Sequence, residues 1–286
     1  MMGNRNIPGD SSDQFLMTSR GLRLAVRSWH PEGEARAVIV ILHGIAEHCG
    51  RYAAFAESLT KLGFAVESFD FHGHGKSEGP RAYTRFFEDW LMDVDLLLDR
   101  VRGRYDSTPV FIFGHSQGGS IALLYAISRQ PRIRGLILSA PTVMVSTLVP
   151  VFLQKLSVLA AVLLPKLPVL RLDSTALSRD PEVVRDYEQD PLVFRGRLRM
   201  RTGAEIFRAT GLIRRHMEKI ELPMLILHGS DDRVVDSEGS RLLVESVASR
   251  DKTYKLYPGF YHELLNEKEK DVVIRDILEW LGQRCR

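Results

Sequence analysis

The stretch GHSQG, residues 114–118, constrains this chain more than any other. It is a G-x-S-x-G motif, preceded by the apolar run Val110-Phe111-Ile112-Phe113 and followed by an Ala- and Leu-rich run with helical character. A strand that turns sharply into a helix is the setting such a motif requires. The flanking glycines lack Cβ atoms and let strand and helix approach closely. Ser116 is then lifted above the sheet, near the positive end of a helix. Three fixed residues at about 7% each would match by chance only about 0.1 times over a chain this long. An ordinary strand–helix loop carrying a serine is the alternative, and the flanking runs argue against it.

The other segments supply a sheet around the motif. FLMTS and LRLAVRSW flank Arg20-Gly21 and predict a hairpin. The run 37–44, AVIVILHG, is continuous and β-branched, as a strand buried on both faces should be. Helix is predicted over 52–63, strand from 64 into a turn ending at 75, and a long amphipathic helix over 84–105. Strand follows over 109–116, helix over 117–130 and strand over 133–141. Further on come the strand 223–229, a helix near 239–249, the strand 253–257 and a last helix near 267–282. Strands alternating with helices imply an α/β fold: a mostly parallel central sheet with helices on both faces. The alternation breaks between about 143 and 208, where no clear strand is visible and a helical insertion is expected. The expected organisation is a core from 1–144, a helical cap from 145–206, and the rest of the core from 207–286.

The length of 286 residues suits one large domain with an insertion. A net charge of +3, with no basic block, argues against a nucleic-acid partner. Cys49 and Cys285 form no CxxC or Cys/His cluster, so neither a metal site nor a disulfide framework is expected. The start, MMGNRNIPGD, lacks the apolar core of a signal peptide, and the expected location is the cytoplasm. The stretch Thr147–Leu170 is unusually apolar, but Lys155, Lys166 and three prolines interrupt it. Its unbroken run, Val158–Leu164, is far shorter than the ~20 residues of a membrane span. It predicts one or two helices with a broad apolar face, packed on the core or touching lipid.

A serine hydroxyl is a poor nucleophile until a base takes its proton. Among nine histidines, His262 follows a strand and the loop PGFYH, at the end where open α/β sheets build their sites. His30 is expected at the surface and His216 in solvent. His43, His115 and His228, each at a strand end, are expected as structural hydrogen-bonding residues. The base needs a carboxylate to hold its tautomer. The order Ser…Asp…His places that acid in HGSDDRVVD, residues 228–236. Asp236 precedes a helix and is expected to cap it. Spacing alone does not separate Asp231 from Asp232. Oxyanion donors are expected from the N–H of Gln117 and, after the run 37–44, the N–H of Ile45.

Assembled in this way, the chain resembles the α/β-hydrolase superfamily, and within it the monoglyceride lipase and lysophospholipase group. The resemblance rests on HGIAEHCGRY (43–52), HGHGKSEG (72–79), GHSQGG (114–119), LSRDPEVVRDYEQDPL (177–192), GSDDRVVD (229–236) and DKTYKLYPGFYHELLNE (251–267). It implies Ser116 as nucleophile, His262 as base and, through the pattern Gly-x-x-Asp from Gly229, Asp232 as the acid. It implies that residues from about 145 to 206 cover an acyl tunnel and touch membranes. Glu47, Arg51 and Tyr187 match positions that line the polar, glycerol-accepting end of the pocket; the other reading of Glu47 and Arg51 is an i,i+4 surface pair. The chain departs from the animal enzymes at Leu265, where they carry a second histidine, and this weakens the case for strict monoglyceride selectivity. The implied activity is hydrolysis of single-chain lipid esters, monoacylglycerol first, without metal or cofactor. Lysophospholipase, broad carboxylesterase and acyltransferase activities are near alternatives. A haloalkane dehalogenase is disfavoured, because its nucleophile would be Asp where this chain has Ser116. A non-catalytic lipid-binding protein would be expected to lack one of the three residues.

Overall fold

The structure is a computed structural model that describes residues 10–144 and 161–285. Strands β1 (Asp10–Met17) and β2 (Arg23–Trp29) form an antiparallel hairpin whose turn holds Gly21 at φ 75°. β3 (Ala37–Leu42), β4 (Phe64–Phe69), β5 (Val110–His115), β6 (Gly135–Ser139), β9 (Met224–Gly229) and β10 (Lys252–Tyr257) complete an eight-stranded sheet ordered β1-β2-β4-β3-β5-β6-β9-β10. β2 pairs antiparallel with β4, and every pairing from β4 onward is parallel. The carboxyl ends of the parallel strands therefore share one edge, where sites form in such sheets.

The helices are α1 (Ala53–Thr60), α2 (Phe87–Arg104), α3 (Gln117–Arg129), α4 (Pro181–Gln189), α5 (Met200–His216), α6 (Glu238–Ser246) and α7 (Lys270–Gly282). The two-residue period of a strand sends its side chains to opposite faces. Val38, Val40 and Leu42 of β3 join the core beneath α2, α3, α5 and α6, whereas Ala37, Ile39 and Ile41 join the core beneath α1 and α7. This double burial explains why the central strands read as unbroken apolar runs. His30, expected at the surface, is half-buried, because the Tyr105 hydroxyl lies 3.1 Å from its Nδ1 and Arg104 lies 3.1 Å from its Nε2.

Between β6 and β9 the chain departs from the helical expectation. β7 (Pro168–Leu170) and β8 (Leu198–Arg199) pair antiparallel in a separate small sheet. Strands this short carry too few residues for an alternation to be legible in sequence. α4 is capped by Asp180, whose carboxylate accepts from the Glu182 N–H at 2.9 Å. This segment lies against the site edge of the sheet: the Phe194 N–H donates to the Ala46 carbonyl at 2.8 Å, and the Glu263 N–H to the Leu177 carbonyl at 2.8 Å. Most of the apolar stretch falls within 145–160, outside the described residues. Its described end is exposed: Val162, Leu163, Leu164, Leu167 and Leu170 all face solvent. Among the described residues, no helix is long and apolar enough to cross a membrane.

Candidate active site

Ser116 occupies the turn between β5 and α3 at φ 52° and ψ −116°, a left-handed conformation that costs a non-glycine residue energy. Hydrogen bonds hold it there: its N–H donates to the Ser139 carbonyl at 2.9 Å, and its carbonyl accepts from Gly119 at 3.0 Å and Thr142 at 3.1 Å. The glycines are required by contact. A Cβ on Gly118 would lie 2.1 Å from the Leu42 carbonyl oxygen, and one on Gly114 would lie 2.6 Å from the Gly118 carbonyl oxygen.

His262 reaches Ser116 from the loop between β10 and α7. Its Nε2 lies 2.9 Å from Ser116 Oγ, and its Nδ1 lies 2.7 Å from Asp232 Oδ2. This loop and the one after β9 are packed backbone to backbone, so a Cβ on Gly229 would sit 2.3 Å from the Phe260 carbonyl oxygen. Asp232 Oδ1 accepts from the Val234 N–H at 2.8 Å and the Val235 N–H at 2.9 Å, while His228 Nε2 lies 3.1 Å from Oδ2. Burial pushes the Asp232 carboxyl upward, but the His262 charge and the hydrogen bonds from His228 and His262 outweigh it and hold the group far below its usual range. Burial lowers the His262 imidazole; the Asp232 charge and hydrogen bond, with Glu263 and Glu47, more than offset this and leave it above the ordinary histidine value.

The two aspartates that spacing left open are thus separated by geometry. Asp231 is exposed and accepts from the neighbouring Ser230 hydroxyl at 2.7 Å. Asp236 accepts from the Glu238 N–H at 2.9 Å, at the start of α6. Of the structural histidines, His228 lies 2.7 Å from the Ser240 hydroxyl, and His43 Nε2 accepts from the Phe71 N–H at 3.0 Å.

Ile45 follows β3, and the next residue, Ala46, is held at φ 68°. Gln117 opens α3, where the first N–H groups have no partner within the helix. Among the described residues, neither the Ile45 nor the Gln117 amide donates to a loop or turn carbonyl. Ile45 lines the same cavity as Ser116 and His262.

Glu47 and Arg51 do form an i,i+4 pair, at 2.9 Å, but not a surface one: their side chains are 5% and 11% exposed. Glu47 also accepts from the Gly44 N–H at 2.6 Å and the Tyr52 hydroxyl at 2.7 Å. Arg51 forms a two-pronged pair with Glu263, at 2.6 and 2.7 Å, and its guanidinium lies 4.9 Å from the centre of the Tyr187 ring. Burial raises the Glu47 carboxyl; the charges of Arg51, His115 and His43 and the Tyr52 hydrogen bond bring it down to about 2. Glu263 shifts in the same direction, its burial outweighed by Arg51.

Sequence reasoning missed Glu263. Its position directly after His262 was the available signal, but nothing in the sequence tied it to Arg51, 212 residues away. His115 also does more than hydrogen-bond Ser139: its ring centre lies 4.8 Å from that of His262, and burial and the His262 charge lower it to about 4. Leu265, the point of departure from the animal enzymes, borders a second small cavity together with Glu47, His115 and Glu263.

Sheet order, the strained serine turn and the Ser116–His262–Asp232 hydrogen-bond chain define an α/β-hydrolase with a serine-centred site. The family profile described as serine aminopeptidase, S33, matches residues 33–269. Monoglyceride lipase of Mus musculus is 38% identical over 275 residues, spanning 94% of this chain and 90% of that protein. Monoacylglycerol lipase of Mycolicibacterium smegmatis is 35% identical over 261 residues, spanning 91% of this chain and 93% of that protein. The crystal structure of Paleococcus ferrophilus monoacylglycerol lipase superposes with a TM-score of 0.83 at 33% identity, covering 91% of this chain and 99% of that one. The chain belongs to this hydrolase family, in its monoglyceride lipase group.

Proposed function

We propose that this protein hydrolyses carboxylic esters of single-chain lipids, with monoacylglycerol the preferred substrate. The observation that carries the reading is the hydrogen-bond chain from Ser116 through His262 to Asp232, at 2.9 and 2.7 Å, beside a cavity with walls of two kinds. Leu172, Leu177 and Val234 suit an acyl chain, and Glu47, Tyr187 and Glu263 suit a hydroxylated alcohol.

Ser116 Oγ attacks the ester carbonyl carbon as His262 Nε2 takes its proton. The oxyanion that forms is held by the N–H groups of Ile45 and Gln117. As it collapses, the ester C–O bond breaks and His262 returns the proton to the departing alkoxide. A water molecule, deprotonated by His262, then attacks the acyl-enzyme and releases the fatty acid and Ser116. Asp232 orients the imidazole and stabilises its protonated form. Residues 145–206 act as the cap, and its exposed leucines bring the protein to the lipid surface that holds its substrate. The protein works in the cytoplasm and at membrane surfaces.

A rate panel at fixed enzyme tests the reading. Monoacylglycerol should be cleaved at least about tenfold faster than diacylglycerol and triacylglycerol, and Ser116→Ala should lose both turnover and labelling by a fluorophosphonate probe. Equal rates on monoacyl and diacyl substrates, or turnover that survives Ser116→Ala, would overturn it.

A further inference from the structure

The charges on the polar wall of the cavity do not cancel. Glu47 and Glu263 are two carboxylates facing one guanidinium, Arg51, which leaves one net negative charge in a buried cluster. Arg51 is held by both carboxylates: Nη1 serves Glu47 and Glu263, at 2.9 and 2.6 Å, Nη2 serves Glu263 at 2.7 Å, and the guanidinium packs on the Tyr187 ring. His115, lowered to about 4, is neutral near pH 7 and supplies no compensating charge. Among the described residues lining the cavity at Ser116, none is Lys or Arg. A bound phosphate would therefore meet the Glu47 and Glu263 carboxylates, with Arg51 already paired to both and His262 needed in its neutral form as the base.

The alcohol half of the substrate has to face this wall. Acyl methylenes gain by lying against Leu172, Leu177 and Val234 and lose by covering buried charges that need polar partners. We propose that the Glu47–Arg51–Glu263 cluster is a charge filter for the alcohol group, admitting neutral and cationic alcohols and excluding those that carry phosphate. This inference rests on the ester hydrolysis proposed above and deepens it. The acyl wall and the serine chemistry treat a monoacylglycerol and a lysophospholipid alike, and the filter separates them. Like charges brought together in a desolvated site repel strongly enough to cost an anionic substrate about 100-fold or more.

The test compares kcat/KM for 1-oleoylglycerol and 1-oleoylglycerol 3-phosphate in the same neutral detergent micelles, with wild type and Glu263→Gln. Glutamine keeps an acceptor for Arg51 and removes the charge. Any effect on folding or on His262 enters both substrates equally and cancels in the ratio. Wild type should favour the neutral ester about 100-fold, and Glu263→Gln should narrow that preference about tenfold. A wild-type preference under threefold, or a ratio unchanged in the variant, would overturn the filter; the second outcome would assign the discrimination to size.

A soluble pair of equal shape separates this idea from the lipid reading: butyrylcholine and 3,3-dimethylbutyl butyrate differ only in charge. The cation-to-neutral ratio should fall in Glu263→Gln, and a constant ratio would overturn the filter. If long-chain lipids prove inert while the short pair responds, the lipid assignment fails and the filter stands. Glu47→Gln, measured in the same way, replaces Glu263→Gln should that variant not fold.

Discussion

The two adjacent carboxylates of Asp231-Asp232 show how much one position matters. Asp232 is closed in by two backbone amides and two imidazoles, and Asp231 points to solvent. Asp232→Asn should lower kcat about 10⁴-fold, because an amide favours the wrong tautomer of His262. Asp231→Asn should stay within about twofold, since surface changes away from such networks are nearly neutral. Steady-state rates of the two purified variants decide the point. The same contacts set a pH dependence. The base must be neutral to accept the Ser116 proton, and His262 lies above the ordinary histidine value of 6.5 because of Asp232. The acid limb of kcat/KM should therefore have its midpoint above that value, with activity lost as pH falls through it. The residual activity of Asp232→Asn should show the limb displaced to lower pH; an unshifted limb would detach it from this pair.

At the scale of elements, the serine turn depends on how closely α3 approaches β3. A Cβ on Gly118 would collide with the Leu42 carbonyl, which is backbone and cannot swing aside. Gly118→Ala should destabilise the fold by about 3 kcal/mol, the upper range for an overpacked core, and thermal unfolding would show it as a lowered Tm. Gly103 is a control within α2, where a Cβ would meet nothing within 4 Å. Gly103→Ala should leave Tm unchanged or raise it slightly, because alanine restricts the unfolded chain and favours helix. The small β7–β8 sheet and the single helical turns at Cys49–Tyr52 and Leu264–Asn266 were not legible from local pattern, since elements this short are made by their partners.

For the whole molecule, the segment from Val162 to Leu170 carries a run of exposed apolar side chains, among them Val162, Leu163, Leu164, Leu167 and Leu170. Leu163 is 76% exposed and Val162 65%, beside the exposed cations Lys166 and Arg171. Contiguous apolar surface of this kind marks a site of interaction. The double variant Leu163→Ser, Leu164→Ser should pellet several-fold less with phosphatidylcholine vesicles while hydrolysing p-nitrophenyl butyrate at the wild-type rate. Equal pelleting would remove this surface from membrane contact.

The sequence by itself determined the sheet, because strands buried on both faces must be written as unbroken apolar runs, as in AVIVIL. It determined the serine turn as well, because no residue but glycine fits at Gly114 and Gly118. Tertiary structure decided what depends on contacts between distant segments. It separated Asp232 from Asp231 by placing only one of them within 2.7 Å of His262. It also turned an apparent surface pair, Glu47 and Arg51, into a buried cluster by bringing in Glu263 from 212 residues away. Local pattern encodes which face of an element is buried; the partner met across the fold, and therefore the net charge of the site, exists only once the chain has closed.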